Sequence, residues 1–528
     1  MRKGFIISAV IALAGTFLLG WFASPWWYVA TAALAGLTVM GINDMMQTRH
    51  SIMRTYPVFG RMRYWMEALR PKMYQYFVES DIDGRPINRI DRSTIYQRAK
   101  QEMDTMPFGT QLDVYEEGYE WMSHSIAPKD FHKLTHNPRV TIGNKDCKQP
   151  YDASIFNVSA MSFGSLSSNA IEALNAGAKI GGFAHNTGEG GISPYHLKHE
   201  GDIIWQIGTG YFGCRDDEGK FSDEVFQQNA LKPQIKMIEL KLSQGAKPGH
   251  GGILPAKKNT PEIAAIRHVK PGTTIYSPPF HTAFNNPKEL VLFIHRMREL
   301  SGGKPTGFKL CIGRKSEFIG ICKAMIELDI YPDFITVDGG EGGTGAAPQE
   351  FSNHVGAPLL DGLAFVHNML NGFNIRQHIK VIASGKILSG WHLVRAVALG
   401  ADACNSARAM MMALGCIQAL QCNSNKCPTG VATQDPALSV GLVVSDKKQR
   451  VANYHEDTLK TFVELIGAAG IDDYKKLTRS HIYRRVFMNE VRTFEDIFPS
   501  LEPNCMRENR IPEKYKQDFE QAFADRWA

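Results

Sequence analysis

The chain has 528 residues, 44% of them hydrophobic and 21% charged, a globular composition that excludes disorder over most of its length. Its 48 glycines cluster rather than repeat. A collagen-like or low-complexity chain is therefore excluded too, and the clusters mark loops that approach a ligand closely. A formal charge of +6 without any run of five Lys or Arg points to no nucleic-acid partner.

The first 43 residues read as a membrane segment. From Gly4 to Asn43 no side chain is charged, and the run breaks at Ser24-Pro25. One bilayer span needs about 20 apolar residues, so there is room for two. Arg2 and Lys3 precede the run, and Arg49, Arg54, Arg61 and Arg63 follow Asp44, which places both flanks in the cytoplasm. Trp21, Trp26, Trp27 and Tyr28 then fall at the far interface, where aromatic rings are favoured. The expectation is a transmembrane hairpin over 1–43 that tethers a cytoplasmic body to the cytoplasmic membrane. A cleaved signal peptide ending near Ala23 competes, but it leaves the second apolar run unexplained.

Residues 44–150 mix aromatic and charged side chains and carry no motif assignable to chemistry; they read as a mostly helical lead-in. From about Ser154 short apolar runs alternate with helical periodicity. The runs are Ile155–Ala160, Phe183–Asn186, Met237–Leu242, Thr274–Ser277, Gly307–Ile312, Phe334–Asp338, Val381–Ser384 and Ala403–Ser406. Between them Ser167–Lys179, Thr260–His268, Pro287–Leu300, Lys315–Leu328, Asp361–Leu370 and Ser389–Leu399 read as helices. Eight buried strands alternating with helices predict a closed (β/α)₈ TIM barrel over 151–435, with an open doubly wound sheet as the alternative. Ser159, Asn186, Lys241, Ser277, Lys309, Asp338, Ser384 and Ser406 then all fall near strand C-terminal ends, the active face of such barrels. Residues 436–528 read as a helical, charged tail.

Three constellations carry chemistry. The first is Asp338-Gly-Gly-Glu-Gly-Gly-Thr-Gly345 after the sixth run, with Ser384-Gly385-Lys386 and Ser406-Ala407-Arg408 after the seventh and eighth. Such loops cradle a phosphate, since glycine lets backbone N–H groups close on the anion and Arg408 adds charge; plain turns are the alternative. Lys309 would face the anionic N1–C2=O side of a reduced flavin, unless it is an ordinary ion pair. The second combines Asn186-Thr-Gly-Glu189-Gly-Gly with Gln244-Gly-Ala-Lys247-Pro-Gly-His250-Gly-Gly; Lys247, with Arg267 and His281 further on, suits a dicarboxylate. The third is Cys416-x₅-Cys422-x₄-Cys427-Pro428. Of the nine cysteines it holds three, which fits reduced thiols and one site better than a secreted disulfide scaffold. Spacing alone leaves open an iron–sulfur cluster, zinc or free buried thiols; His455 is the nearest later histidine.

Taken in order, Ser159-Ala-Met161-Ser-Phe-Gly-Ser-Leu-Ser, Asn186-Thr-Gly-Glu-Gly-Gly, Lys241-Leu-Ser-Gln-Gly-Ala-Lys-Pro-Gly-His-Gly-Gly, Ser277-Pro-Pro-Phe-His281, the 338–345 loop and Cys416…Cys427-Pro-Thr-Gly-Val-Ala-Thr-Gln434 resemble the FMN-binding synthase domain of glutamate synthases. The resemblance implies FMN in the barrel mouth, a [3Fe–4S] cluster on Cys416, Cys422 and Cys427, and 2-oxoglutarate beside the flavin. It assigns Gln244, Lys247 and Arg267 to the substrate and Glu189 to the active site; the residue pattern adds His281 to the substrate set, and Lys247 is expected to share in catalysis with Glu189. It assigns FMN to Lys309 and the loop with Gly340, Gly342, Gly343 and Thr344, and the strand ends and phosphate-type loops extend the expected FMN site to Ser159, Met161, Asp338, Gly385, Ser406 and Arg408. The implied reaction condenses ammonia with 2-oxoglutarate and reduces the 2-iminoglutarate to glutamate, an oxidoreductase acting on CH–NH2 donors.

Two departures shape the expected partners. The family's glutaminase domain opens on a cysteine, whereas this sequence opens Met1-Arg2-Lys3 and has no cysteine before Cys147, so ammonia is expected from solution or from a separate glutaminase. With no NAD(P) glycine fingerprint, electrons are expected from a separate donor such as a ferredoxin or an NAD(P)H-oxidising subunit. At position 250 a His stands where the familiar loop carries an acid, which makes an N-substituted glutamate an alternative product. Two further alternatives are a non-catalytic flavin and iron–sulfur electron-transfer protein, and an FMN-dependent 2-hydroxyacid dehydrogenase, which would not explain the cysteine triplet.

Overall fold

A computed structural model describes residues 1–508 and 510–527. The chain divides into two compact units, Met1–Arg89 and Ile90–Ala528.

In the first unit, helices α1 (Arg2–Phe22) and α2 (Trp27–Met46) form an antiparallel hairpin turned at Pro25. Glycine permits the close approach: a Cβ on Gly20 would lie 2.7 Å from the Tyr28 ring, and one on Gly41 would strike Phe5. Each helix is long and apolar enough to cross a membrane. A short helix, Ser51–Thr55, leads to α3 (Gly60–Met73), which runs on into a π turn, Tyr74–Val78.

The second unit is built on a closed barrel of eight parallel strands. They are β1 (Phe156–Val158), β2 (His185–Asn186), β3 (Ile203–Ile207), β4 (Ile235–Lys241), β5 (Thr306–Leu310), β6 (Phe334–Asp338), β7 (Lys380–Ser384) and β8 (Ala403–Ser406). β8 closes on β1, with Ser406 opposite Val158. β3, β5 and β6 are buried at every residue, because helices cover one face and side chains fill the other, so their sequences do not alternate.

The eight expected strands include one error and its mirror image. Thr274–Ser277 is not a barrel strand: Ile275–Tyr276 pairs antiparallel with Ile253–Leu254 in a side hairpin. The β-branched and aromatic residues there favour a strand, but Tyr276 is exposed and nothing buries both faces. The strand passed over is β3, Ile203-Ile-Trp-Gln-Ile. The count of eight and the positions of β5 to β8 are unaffected.

Helices Pro287–Leu300 and Lys315–Leu328 have the expected bounds. Ser168–Gly181 opens on Ser167, whose Oγ accepts the Ala170 N–H at 3.2 Å, and ends on Gly182 at φ 66°. A 25-residue helix, Val444–Ala468, packs on it, its Lys448 carbonyl 2.8 Å from where a Cβ on Gly177 would stand. Two stretches expected to be helical are mixed. After Lys100 the lead-in is loop with short strands, and Ile482–Phe487 and Glu490–Thr493 form a hairpin on Glu120–Met122. Both are locally rich in charge and aromatic residues without a helical period, so cross-strand pairing decides them.

Candidate active site

A layer of polar side chains crosses the barrel below its C-terminal mouth. Glu239 of β4, fully buried, accepts from Asn186 Nδ2 at 2.8 Å, Gln206 Nε2 at 2.6 Å and Thr336 Oγ1 at 2.6 Å. Three donors from three other strands satisfy a charge that burial alone would make costly. Glu239 was not singled out in sequence, though a carboxylate inside Ile235-Lys-Met-Ile-Glu-Leu-Lys was a signal for it. Above it, Lys309 Nζ of β5 lies 3.3 Å from Asp338 Oδ2 of β6. Burial disfavours the ammonium, but Asp338 and Glu239 outweigh it and hold Lys309 above its ordinary range.

Asp338 also accepts the Gly245 N–H at 2.9 Å, which ties the loop after β4 to the glycine-rich loop after β6. Glycine is required at 245, since a Cβ there would collide with the Gly339 carbonyl. A cleft at this junction is lined by Glu189, Thr209, Lys241, Gln244, Lys247 and His250. Lys241, the last residue of β4, donates to Glu189 Oε2 at 2.8 Å and to Gln244 Oε1 at 2.6 Å. Burial would raise the Glu189 carboxyl, but Lys241, Arg267 and Lys247 together hold it below the usual range. Lys247 Nζ donates to the carbonyls of Gly251 at 2.8 Å and Ala346 at 3.4 Å, and burial lowers its pKa.

Arg267 and His281 stand behind this cleft rather than in its lining. Arg267 is 4% exposed, donates to the Phe163 carbonyl at 3.1 Å and lies over the Phe212 ring; burial lowers it to about 10. Its Nε has no hydrogen-bond partner. His281 uses both ring nitrogens, on the Lys241 carbonyl at 2.8 Å and the Tyr211 hydroxyl at 3.1 Å. Burial lowers it to about 4, and its contact with the Lys241 carbonyl braces the end of β4.

The phosphate-type loops meet at the other side of the mouth. Ser159 Oγ lies 3.3 Å from Ser384 Oγ, and Ser406 Oγ donates to the Ile387 carbonyl at 2.5 Å. Gly385 adopts φ +141°, with Gly339 close enough that a Cβ would lie 3.2 Å from its nitrogen. Gly343 packs against Arg408, whose Nη2 donates to the Glu341 carbonyl at 2.5 Å. Gly340 donates to the Ala357 carbonyl at 2.7 Å, Gly342 to the Gly339 carbonyl at 2.9 Å, and Thr344 is exposed. Met161 is buried beside Gly188. Asn405 Oδ1 of β8 is buried without a partner. Glycine-lined space, the buried Lys309, the half-buried Arg408 and an unpaired buried acceptor fit a phosphorylated flavin.

The three cysteines follow the helix Arg408–Ala413 in one loop, and all are free thiols. Among the described residues no three His, Cys, Asp or Glu side chains converge as a metal-ligand group. The donor chemistry still suits a cluster. Burial opposes ionisation of Cys427, yet Thr429 and the N–H groups of Val431 and Ala432 hold it below the ordinary thiol range, and the thiolate is the ligand form. Cys416 is pushed up to about 11 by burial. Gly345 packs against Cys422, so the glycine-rich loop touches the cysteine loop. Behind them Lys258, also missed in sequence, is buried and donates to the carbonyls of Ser165 at 3.2 Å, Cys422 at 2.9 Å and Ala432 at 3.2 Å. His455 is no ligand: it stacks on Phe183 and contacts the Phe156 carbonyl at 3.0 Å.

Residues 89–472 match the family described as a conserved region in glutamate synthase. The chain is 38% identical over 483 residues to the glutamate synthase large subunit-like protein YerD of Bacillus subtilis, covering 84% of this chain and 91% of that protein. It is 34% identical over 321 residues to the archaeal glutamate synthase [NADPH] of Methanocaldococcus jannaschii, covering 61% of this chain and 60% of that protein. Among solved structures, mandelate oxidase aligns with a TM-score of 0.44 and 13% identity over 81% of this chain and 99% of that one.

Proposed function

Because the chain belongs to the glutamate synthase family, we propose that its barrel mouth reduces 2-iminoglutarate, formed from 2-oxoglutarate and ammonia, to L-glutamate. The observation that carries this reading is the hydrogen bond from Gly245 to Asp338, which sets the Lys241–Glu189–Gln244–Lys247 cleft against Lys309 and the glycine loops.

FMN is held by Lys309, Asp338, the glycine loops and Arg408, with Ser159, Met161 and Ser406 completing the mouth. When bound it supplies a hydride to the imine carbon. Lys247 binds a substrate carboxylate with the hydrogen its two carbonyls do not occupy. Gln244 positions the substrate, and Arg267, one shell behind, adds positive potential. Glu189, kept ionised by Lys241, carries protons from ammonia's nitrogen, as it bonds to the keto carbon, to the keto oxygen, which leaves as water while the C=N bond forms and Glu189 returns to its ionised form.

The Cys416, Cys422 and Cys427 loop holds a [3Fe–4S] cluster, which supplies one-electron transfer. Support comes from three free thiols in one loop, the thiolate-stabilising groups at Cys427 and the contact with Gly345. Electrons come from a separate ferredoxin or NAD(P)H-oxidising subunit, and ammonia from solution or a separate glutaminase. The α1–α2 hairpin anchors the catalytic body to the cytoplasmic membrane.

His250 supports a second reading. Its Nδ1 lies 2.8 Å from the Gly251 carbonyl, and its ring, in the cleft lining, stands edge-on to Phe351 behind it. An imidazole backed by an aromatic ring, where the family's loop carries an acid, offers apolar contact to the alkyl group of an alkylamine in place of ammonia, giving an N-substituted glutamate. The test is product analysis under an artificial reductant with 2-oxoglutarate and ammonium, methylammonium or glutamine. Glutamate from ammonium and none from glutamine is expected; glutamate from glutamine alone overturns the need for an ammonia source.

A further inference from the structure

The first unit carries an apolar face that neither the barrel chemistry nor the hairpin uses. From Phe59, the residue before α3, Met62, Trp65 with Met66, Leu69 and Met73 follow at intervals of three and four along α3, and Tyr76 and Phe77 continue the stripe through the π turn. With about 3.6 residues per turn these side chains share one face. Phe59 is 74% exposed, Trp65 63% and Phe77 77%. On the same helical projection Arg63 and Arg70 border the stripe on one side and Arg61 and Lys72 on the other, while Glu67 and Gln75 lie opposite it. Glu67 pairs with Arg63 at 3.0 Å.

The start of α3 is fixed to the end of the hairpin. Arg61 Nε lies 3.0 Å and 2.9 Å from the two carboxylate oxygens of Asp44, and its Nη2 lies 2.6 Å from Oδ1. The Val58 N–H donates to the same carboxylate at 3.0 Å. Asp44 is fully buried in this clamp and lies in the last turn of α2. If α2 ends at the membrane surface, the clamp starts α3 at that level.

We infer that α3 and the following π turn lie in the plane of the cytoplasmic membrane surface, with the Phe59–Phe77 stripe in the acyl boundary and Arg70 and Lys72, one on each border, on anionic lipid headgroups. The inference rests on reading α1 and α2 as a membrane hairpin. Aromatic and thioether side chains suit that boundary, and Arg and Lys at the edges reach out to phosphates along their apolar stems. Two independent features favour lipid over a second helix: cations border the stripe on both sides, and the Asp44 clamp continues it directly from the hairpin. A second copy of the chain would set the two cationic borders against each other.

The test uses the full chain in nanodiscs of phosphatidylglycerol and phosphatidylethanolamine, with photoreactive p-benzoylphenylalanine placed singly at Trp65, Phe77, Glu67 or Val39. Lipid adducts at positions 65 and 77, at least several-fold above position 67, are expected. Exchanging Arg70→Gln and Lys72→Gln together should lower the adduct yield at 65 in these anionic discs. Cross-linked dimers, adducts to the protein's own second unit, or equal labelling at 65 and 67 overturn the inference. Position 39, inside α2, separates the two readings: lipid adducts at 39 but not at 65 leave the hairpin standing and sink only the in-plane helix, whereas none at 39 sinks both.

Discussion

Lys241 places its ammonium 2.8 Å from the Glu189 carboxylate, joining the end of β4 to the loop after β2. The pair keeps Glu189 ionised against burial, so the carboxylate is available as a base. Glu189→Gln should reduce kcat by about 10²–10⁴-fold with FMN retained. Lys241→Met leaves the base but removes the cation that stabilises its charged form. Its carboxyl rises, and the acid limb of the kcat/KM profile should move to higher pH. An unmoved limb would separate Glu189 from proton transfer.

Lys247 makes the complementary case for substrate binding. A charge-assisted contact to a carboxylate is worth roughly 1.5–3 kcal/mol, so Lys247→Ala should weaken 2-oxoglutarate use by about one to two orders of magnitude. Flavin content should stay unchanged, because the shorter of the two contacts of Lys247 is to the Gly251 carbonyl and the longer, to Ala346, lies past the glycine run 339–345. A titration of flavin absorbance with 2-oxoglutarate reads both quantities.

Lys258 clamps three carbonyls from two loops, and its loss should be felt at the cysteines. Lys258→Met keeps the length of the side chain but leaves the Ser165, Cys422 and Ala432 carbonyls without their donor. Iron should fall well below the roughly three per chain that three thiolates imply, while FMN remains. Stoichiometric zinc in the parent protein, with no iron, would remove the cluster assignment.

Acid should unfold the second unit through its buried histidines. Burial holds His185 and His455 at about 3 and His281 at about 4, and lowers His196 as well. These rings are neutral when folded and protonate when unfolded, near the ordinary value of 6.5. The unfolded state therefore binds more protons between about pH 6.5 and 4, and stability falls with pH there by about 1.4 kcal/mol per unit per histidine. Denaturant midpoints measured across that window should drop steeply; a flat profile would contradict the neutral assignments.

The barrel was legible because its strands are buried on both faces and read as unbroken apolar runs. The same criterion misled at Thr274–Ser277, where β-branched and aromatic residues serve a two-residue side hairpin. The glycine and lysine motifs marked the mouth since glycine is demanded where backbones touch, as at Gly245 and Gly339. Glu239, Lys241 as the partner of Glu189, and Lys258 were not legible, because a single charged residue in a strand or loop looks the same whether solvated or fully satisfied. The partners of His281 were hidden for a related reason: Tyr211 and the Lys241 carbonyl are both distant in sequence.

The most direct test is anaerobic reoxidation of the flavin. Full-length protein is photoreduced and 2-oxoglutarate, ammonium or both are added while flavin absorbance is followed. The expected result is reoxidation only with both present, accompanied by glutamate in proportion to flavin oxidised. A flavin that stays reduced with both, or that reoxidises without an amino acid product, would contradict the assignment of this mouth to reductive amination of 2-oxoglutarate.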